Sequence, residues 1–302
     1  MSTPPHLTFT RPPSVAAYMW RAFHRAPGLA QAGSAPAVGA RWLGHRPDPA
    51  ALARLRRLTG LGEARTLPIL YPHVVGFRLV LAVLTHPAVP VSIWNSLGVR
   101  THLLLRQPVP VDTALDFETR VAGLRILEKG AELDLHTTAG AQGEVLWESL
   151  NTFYYRGRHG AAGAPSPLAA APEAGGTEVA RWTAGGTGWA MGRLTGDFNP
   201  VHWSGRYARR SGFQGSFHHP PTVVGQCLAR LAPPDPAGPA RLDWWAKGPV
   251  YHGAQVSLLA REEDGGAAFA LFAEGDPRPA ILGRWSGASA GSTLLEAGPP
   301  AT

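Results

Sequence analysis

Cysteine and lysine are almost absent from this sequence of 302 residues. The single cysteine, Cys227, excludes an internal disulfide framework and a cysteine-rich zinc site. Lysine occurs only at Lys129 and Lys247, so nearly all of the 28 basic side chains are arginine. Charged residues make up 16% of the chain and hydrophobic residues 44%. This balance excludes a wholly disordered protein and leaves enough apolar side chains for a core.

The sequence also lacks an unbroken apolar run that could span a membrane. Its longest uncharged stretch, from Leu79 to Val99, is interrupted by Pro87 and Pro90 and predicts a buried helix followed by a turn. The N-terminal residues contain no continuous apolar segment of the kind found in secretion signals. Together with the near absence of cysteine, this predicts a cytoplasmic protein with no membrane partner.

The formal net charge is +7, and arginine carries almost all of the positive charge. Two explanations stay open. One is the codon bias of a GC-rich genome, and the other is an anionic partner such as a nucleotide or a phosphorylated carrier, which arginine binds well. A protein that binds nucleic acid concentrates its basic residues on one element. Here the arginines are scattered, apart from tight groups at 54–57 and 206–210, so we expect no nucleic-acid partner.

Glycine and proline, at 36 and 29 residues, divide the chain into five predicted segments. The linker between the two larger segments is rich in Ala, Gly and Pro and has almost no large apolar residue, so it cannot form a core. The predicted segments are an N-terminal lead-in with short helices (1–60), a first unit (61–156), the linker (157–178), a second unit (179–287) and a disordered tail (288–302).

Hydrophobic periodicity predicts the same order of elements in both units, a helix followed by an antiparallel meander. Apolar spacing predicts helices over 14–23, 50–61, 71–85 and 221–231. Alternation predicts strands over 111–121, 131–137, 144–155, 242–250, 255–261 and 267–273. In the first of these strands, Leu115, Phe117 and Thr119 alternate with charged residues. The shared order predicts a duplicated α+β fold.

One polar motif stands out in the second unit, with Asp197, Asn199 and His202 inside six residues. Pro200 fixes a turn, so an aspartate and a histidine on this loop can face one pocket and share a bound water, one taking a proton and the other delivering one. Asn199 is suited to hold the loop through an Asx turn. The alternative is a polar turn whose Asp197 and His202 only cap neighbouring helices.

The motif resembles that of the MaoC-like (R)-specific enoyl-thioester hydratases and dehydratases. The resemblance spans roughly residues 65 to 285, is strong in the motif and is faint elsewhere. It implies a double hot-dog fold, in which two antiparallel sheets each wrap a long central helix. The matching positions are Gly196-Asp197-x-Asn199-Pro200-x-His202, Tyr207-Ala208, Gly212-Phe213, a histidine before a helix, and in the first unit Leu67-Pro68, Tyr71-Pro72, Phe77, Gly98 and His102.

The resemblance implies reversible hydration of a trans-2-enoyl thioester, or loss of water from an (R)-3-hydroxyacyl thioester, by syn addition or elimination. Carried onto this chain, it makes Asp197 and His202 the acid–base pair, and Asn199 a residue of the same site. Which of the pair performs which proton transfer stays open, because coupled groups share their titration. The first unit has no counterpart of the motif, so it is expected to be a degenerate hot-dog that completes the sheet and widens the acyl pocket.

The sequence departs from the family where its helix N-terminus should supply an oxyanion donor. The family has a glycine after the histidine, whereas this chain has His219-Pro220-Pro221, and Pro220 has no N–H. One reading is that the prolines only rigidify the first turn of the helix, with Thr222 offering the next N–H or a hydroxyl. The other reading is a site that binds acyl thioesters without hydrating them, as a binding or scaffolding protein.

Several further histidine, arginine, cysteine and tryptophan residues are candidates for the site. His218 and His219 lie near His202, but no further carboxylate or thiolate stands at ligand spacing, so we predict no metal and no cofactor. Arg206, Arg209 and Arg210 form either a solvated face or contacts to phosphates of coenzyme A or of a carrier's phosphopantetheine. Cys227 is expected in the core, and the tryptophans 203, 244 and 245 either line an acyl tunnel or pack elsewhere.

The expected partner is acyl-CoA or an acyl-carrier protein. Two hot-dog units in one chain already form a pseudo-dimer, so both a monomer and a homodimer of such chains are compatible with the sequence.

Overall fold

A computed structural model describes residues 6–23, 26, 28–29, 35–161, 171–235, 238–289, 292 and 294. The α-helices within these residues are α1 (Val15–Ala22), α2 (Pro49–Thr59), α3 (Leu70–Leu84), α4 (Gly188–Thr195), α5 (Gly205–Arg210) and α6 (Pro220–Leu228). The strands are β1 (His6–Phe9), β2 (Gly39–His45), β3 (Ser96–Leu105), β4 (Leu115–Leu127), β5 (Gly130–Ala141), β6 (Glu144–Arg156), β7 (Thr177–Thr183), β8 (Ala240–Ala246), β9 (Gln255–Glu263), β10 (Gly266–Ala273) and β11 (Pro279–Gly287).

All of these strands belong to one sheet of eleven strands, in the order β1-β2-β4-β5-β6-β3-β8-β11-β10-β9-β7. Neighbouring strands are antiparallel except β1 and β2, which are parallel. The prediction of two antiparallel sheets is therefore wrong in this respect. In the order of the sheet, β3 is the last strand of the first half and β8 is the first strand of the second half. These two strands pair directly, so backbone hydrogen bonds continue from one half into the other.

The four predicted helices form, and α1 and α2 begin after side chains that cap them. Helix α2 begins after Asp48, whose carboxylate accepts the N–H of Ala50 at 2.9 Å, and ends at Gly60 with φ 78°. Ser14 caps α1 in the same way. Helix α3 is buried around nearly its whole circumference and packs against β2, β4 and β5. Its apolar sequence predicted this burial.

Five strands were not predicted: β1, β2, β3, β7 and β11. The first is four residues long, and β2 lies in the predicted lead-in, so local alternation is a weak signal there. In β11, Gly283 interrupts the alternation because the ring of Phe269 fills the place of a side chain, 2.1 Å from where a Cβ would lie. The predicted segment boundaries stay a prediction, and residues 162–170 of the linker lie outside the described residues.

Buried carboxylates on the sheet face opposite the main core are paired with arginine. Three arginines therefore have counter-charges within the protein, and three carboxylates balance them, so the net charge of the chain is unaffected. The pairs are Glu132 with Arg100 and Arg125, Asp134 with Arg125, and Glu148 with Arg106.

Small apolar clusters cover other parts of this face. Leu294, within the segment predicted as a tail, is buried against Leu104 and Leu150. Trp245, Ala270 and Leu282 form a second cluster of the same kind. Among the described residues, no helix combines the length and the apolar character needed to cross a membrane.

A buried hydrogen-bonded pair lies across the seam between the two halves. His102 on β3 and Asp243 on β8 are directly opposite, with His102 Nδ1 2.8 Å from an Asp243 carboxylate oxygen, and both side chains are buried. Arg241 donates to the same carboxylate at 2.9 Å. Burial raises the pKa of Asp243. The interactions with His102 and Arg241 lower the pKa by a larger amount, so it lies below its usual value.

Replacing this carboxylate is expected to weaken the seam. Asp243→Ala should lower the free energy of unfolding by about 3–5 kcal/mol, because it leaves buried charged and polar partners without a counter-charge. Urea denaturation followed by circular dichroism measures the change. Asp276→Ala removes an exposed aspartate paired with Arg278 and is the matched control, with no measurable loss expected. Equal losses in both variants would contradict a structural role for the seam pair.

Candidate active site

The polar motif begins where helix α4 ends. Gly196 ends the helix in the left-handed conformation (φ 76°), and its N–H donates to the carbonyl of Gly192 at 2.8 Å. The N–H of Asp197 then donates to the Thr195 hydroxyl at 3.0 Å. These bonds fix the direction in which the chain leaves the helix. The Asp197 side chain stays 20% exposed, so it can meet a ligand.

Asn199 holds the loop as an Asx turn, as its position predicts. Its N–H donates to Asp197 Oδ1 at 3.0 Å, and its own Oδ1 accepts the N–H of Val201 at 3.3 Å. A short 3₁₀ helix, Pro200–His202, follows and turns the chain back. The loop therefore uses one carboxylate oxygen of Asp197 for its own geometry and leaves Oδ2 for the site.

His202 is buried and is oriented by a backbone carbonyl. Its Nδ1 lies 3.0 Å from the oxygen of Phe217, which can only accept, so the proton is assigned to Nδ1 and the lone pair to Nε2. Burial lowers the pKa of His202 below its usual value, although the charge of Asp197 raises it. The imidazole is thus neutral near pH 7, with Nε2 free to accept a proton.

His219 adds a second neutral imidazole beside the first. Its ring stacks on His202, with centroids 3.7 Å apart and planes inclined by 24°. Its Nε2–H donates to the carbonyl of Asp197 at 3.1 Å, and its buried Nδ1 has no hydrogen-bond partner among the residues that the structure describes. Burial lowers the pKa of His219 well below its usual value, so the ring carries no charge near neutral pH.

Asp197 and His202 are close but not bonded to each other. His202 Nε2 lies 3.8 Å from Asp197 Oδ2, longer than a hydrogen bond, and His219 Nε2 lies 3.6 Å from the same oxygen. Two groups at this separation can both reach one small polar ligand, such as a water or a hydroxyl. The structure therefore brings together the predicted residues Asp197, Asn199, His202 and His219, in an arrangement that can take a proton from one atom and deliver one to another.

A metal ion is a different occupant for the same three side chains. One ligand atom from each of Asp197, His202 and His219 lies within 4.8 Å of the others. However, the two rings are stacked, so their lone pairs, which lie in the ring planes, run side by side and do not converge on one centre. His219 Nε2 also donates to a carbonyl. The geometry does not suit a metal ion, and the absence of a metal stays a prediction.

The N-terminus of α6 differs from one reading of the sequence. Pro220 and Pro221 open the helix and have no N–H, as expected. The N–H of Thr222 is not free, because it donates to the carbonyl of His219 at 2.9 Å. The expectation that Thr222 offers a free N–H is therefore wrong, and its hydroxyl is the remaining group that it can offer. His219 is the residue before the helix, but its ring makes no capping bond to it.

Arg206, Arg209 and Arg210 lie on α5, directly after the motif, and are exposed. None of them forms an ion pair within the described part of the chain. Their exposure and their lack of ion-pair partners within the described residues are compatible with contacts to phosphates.

The three tryptophans do not line one tunnel. Trp203 is 43% exposed and donates its ring N–H to the carbonyl of Phe198 at 3.0 Å. Trp244 and Trp245 are adjacent on β8, so their side chains lie on opposite faces of the sheet. Trp244 packs on His73 in the main core, and Trp245 belongs to the small cluster on the other face. Cys227 is buried in the main core, as predicted.

His252 supports the site, and no pattern in the sequence predicts this role. Its Nε2 donates to the carbonyl of His202 at 2.9 Å, and its Nδ1 lies 3.1 Å from His218 Nε2. His218 in turn donates to the carbonyl of Ala184 at 2.9 Å. His252 stands next to a turn glycine, 50 residues from His202, and no local spacing indicates such a contact.

Comparison with known proteins gives relatives for this chain, although no protein-family model matches it. The 3-hydroxyacyl-thioester dehydratase X of Mycobacterium tuberculosis is 26% identical over 229 residues, which cover 72% of this chain and 78% of that protein. The crystal structure of HtdX from the same organism superimposes with a TM-score of 0.69 and 22% identity, over 83% of this chain and 100% of that one.

A second structure from that organism, Rv0216, is described as a double hot-dog fold; its TM-score is 0.57 at 16% identity, over 87% of this chain and 98% of that one. The chain has the double hot-dog fold. The structure of a MaoC-like dehydratase from Phytophthora capsici also superimposes on this chain, with a TM-score of 0.66 and 15% identity, over 84% of this chain and 95% of that one. The resemblance to MaoC-like dehydratases is confirmed, with the motif in the second half of the double hot-dog.

The buried histidines beside the motif predict a loss of stability in acid. Burial lowers the pKa of His218 to about 4, whereas an unfolded chain takes up the same proton near pH 6.5. The unfolded state therefore binds more protons between these values, and the free energy of unfolding falls as the pH drops from 6.5 towards 4. The cost from one such group at pH 5 is about 2 kcal/mol.

His218→Gln keeps a donor for the Ala184 carbonyl but cannot titrate. The fall in the free energy of unfolding between pH 7 and pH 5 should be smaller in this variant by about 2 kcal/mol. Urea titrations at both pH values measure it, and the exposed His6→Gln is the control. A fall as large as in the unchanged protein would show that His218 does not contribute to the acid sensitivity.

Proposed function

We propose that this protein catalyses the dehydration of (R)-3-hydroxyacyl thioesters and the reverse hydration of trans-2-enoyl thioesters. The observation that carries the proposal is the convergence of Asp197 Oδ2 and the unprotonated Nε2 of His202 at 3.8 Å. The named dehydratases among the relatives support the same reaction class. Neither step needs an electron acceptor or donor, because hydration moves only water and protons, so we propose no cofactor.

In the hydration direction, one group of the pair accepts a proton from the bound water as its oxygen attacks C3. The pair then delivers a proton to C2, where the electron pair of the double bond has moved through the thioester enolate, so the pair ends with the protons with which it began. In the dehydration direction, the pair removes the C2 proton and returns a proton to the 3-hydroxyl, which leaves as water. Both groups lie on one side of the substrate, so addition and elimination are syn. Asp197 and His202 titrate as a coupled pair, so neither transfer is assigned to one residue alone.

The enolate oxygen needs a donor or a positive field. Helix α6 begins beside the pair, because His219 directly precedes it and contacts Asp197. We propose that the positive end of this helix dipole and the Thr222 hydroxyl supply the stabilisation, because Pro220 and Pro221 contribute no N–H.

We also propose the features of the fold and partner that the relatives give only in outline. Each half is a hot-dog unit whose strands curve around a central helix, α3 in the first half and α6 in the second. The first half lacks the motif and widens the acyl pocket. The thioester is carried by coenzyme A or an acyl-carrier protein in the cytoplasm, with the arginines of α5 facing its phosphates. The chain acts as a monomer or as a homodimer.

A second function fits one specific observation. The first two positions of α6 have no N–H, and that of Thr222 is already bonded. Loss of one oxyanion donor lowers the rate about 10²- to 10³-fold. A protein with such a site can bind acyl thioesters without converting them, and would then act as a binding or scaffolding protein. The retained Asp197–His202 arrangement favours the enzyme.

Removing either member of the pair is expected to abolish turnover. Asp197→Asn and His202→Ala should each lower kcat by at least about 10²-fold, because each removes one of the two proton transfers. The assay follows loss of the conjugated enoyl absorbance with a series of trans-2-enoyl-CoA substrates, and with the carrier-bound substrates in parallel.

The control is Asp276→Asn, which makes the same chemical change at an exposed turn. It should keep full activity, and circular dichroism should show all three variants folded. If Asp197→Asn or His202→Ala keeps the activity of the unchanged protein, the assignment of the pair is overturned. Binding of acyl thioesters without turnover on either carrier would establish the second function.

Restoring the missing donor is expected to raise the rate. Pro220→Gly places an N–H at the first position of α6, where the family has its glycine, and kcat should rise by up to about 10²-fold. Pro221→Ala is the matched control, since it restores an N–H one position further along. A Pro220→Gly rate equal to or below that of the unchanged protein would show that another donor already serves the thioester oxygen.

A further inference from the structure

Helix α1, which lies before the region that resembles the family, reaches the candidate active site through one side chain. The Tyr18 hydroxyl donates to the carbonyl oxygen of Gly196 at 2.8 Å, across 178 residues of sequence. Tyr18 is 1% exposed, and the bond is buried. Gly196 is the residue directly before Asp197.

The bond satisfies a group that the helix itself cannot. The last carbonyls of a helix have no partner within it, and a buried carbonyl without one is unfavourable. Gly196 also leaves the room that Tyr18 needs. A Cβ on Gly196 would lie 2.2 Å from the Tyr18 hydroxyl oxygen, and the residue's φ of 76° favours glycine as well.

The helix that carries Tyr18 is itself held in place. Helix α1 packs on α3, and the ring N–H of Trp94 donates to the carbonyl of Ala22 at its end, at 2.8 Å. Like Tyr18, a side chain of helix α3 also bonds to the end of α4: the Arg78 guanidinium donates to the carbonyl of Arg193 at 3.0 Å. Two side chains from the first half therefore hold the C-terminal end of α4, from which the Asp197 loop departs.

Burial raises the pKa of Tyr18 far above its usual value, Arg78 lowers it, and the charge of Asp197 raises it. The phenol stays protonated throughout the pH range in which the protein is used. Its hydroxyl can therefore always donate to the carbonyl, and the bond does not switch.

We propose that Tyr18 is a positioning residue for Asp197, acting through the Gly196 carbonyl. It fixes the start of the loop so that Asp197 Oδ2 faces the Nε2 of His202. The catalytic consequence rests on the proposed function, whereas the fixing of the loop does not.

The test removes a single oxygen atom. Tyr18→Phe should lower kcat by about 10- to 100-fold and leave KM nearly unchanged, because misplacement of one reacting group is costly while the substrate contacts remain. Tyr154→Phe is the matched control, since it removes a hydroxyl that donates to the carbonyl of Lys129 at 2.6 Å in the turn between β4 and β5. Equal kinetics for Tyr18→Phe and the unchanged protein would overturn the catalytic part.

Amide hydrogen exchange tests the positioning without any substrate. The N–H groups of Asp197 and Asn199 are bonded within the loop, so they should exchange faster in Tyr18→Phe and at the normal rate in Tyr154→Phe. Unchanged exchange in Tyr18→Phe would overturn the proposal. If the unchanged protein has no turnover, the proposed function fails, and this exchange measurement still decides whether Tyr18 positions the loop.

A double-mutant cycle tests the contact itself. In Tyr18→Phe the oxygen that a Cβ on Gly196 would strike is absent, and the nearest remaining atoms stand 3.2 Å and 3.4 Å away, on Arg78 and on the ring. Adding Gly196→Ala should therefore cost less activity, or less loop protection, in Tyr18→Phe than in the unchanged protein, by a factor of roughly 2 to 100. Equal costs in the two backgrounds would contradict direct contact.

Discussion

The backbone pairing of β3 with β8 is the constraint on which the rest of the structure depends. It makes one sheet of the two halves, and the buried pair of His102 and Asp243 lies directly across it. Within this arrangement α3 of the first half lies against α4 of the second, and α1 reaches the end of α4 through Tyr18. The first half has no copy of the polar motif, yet through this arrangement it holds the loop that carries the motif.

Backbone carbonyls orient the polar side chains of the site. His202 donates to Phe217, His219 to Asp197, and His252 to His202. Each bond assigns a proton to one nitrogen, and burial keeps the His202 and His219 rings neutral. The result is one unprotonated nitrogen of His202 facing one unused oxygen of Asp197. An acid–base pair needs such an arrangement, and a purely structural turn would not require it.

Features that depend on local sequence could be predicted, and those that depend on distant contacts could not. The Asx turn at Asn199 and the glycine at the end of α2 follow from residues a few positions apart, and both are confirmed. The strands β3 and β11 depend on partners far along the chain, as do the contacts of Tyr18 and His252 with the loop. Thr222 is an exception, because the partner of its N–H, the carbonyl of His219, is only three residues away and depends on the helix geometry that two prolines impose.

The stereochemistry of hydration tests the account most directly, because the proposed mechanism has both acid–base groups on one side of the substrate. A trans-2-enoyl thioester is hydrated by the protein in D₂O, and the relative configuration of the deuterium at C2 and the hydroxyl at C3 is read by NMR spectroscopy. The account predicts syn addition with the (R)-3-hydroxyacyl product. Anti addition would contradict it, since water and deuteron would then come from opposite faces, where Asp197 and His202 cannot both act.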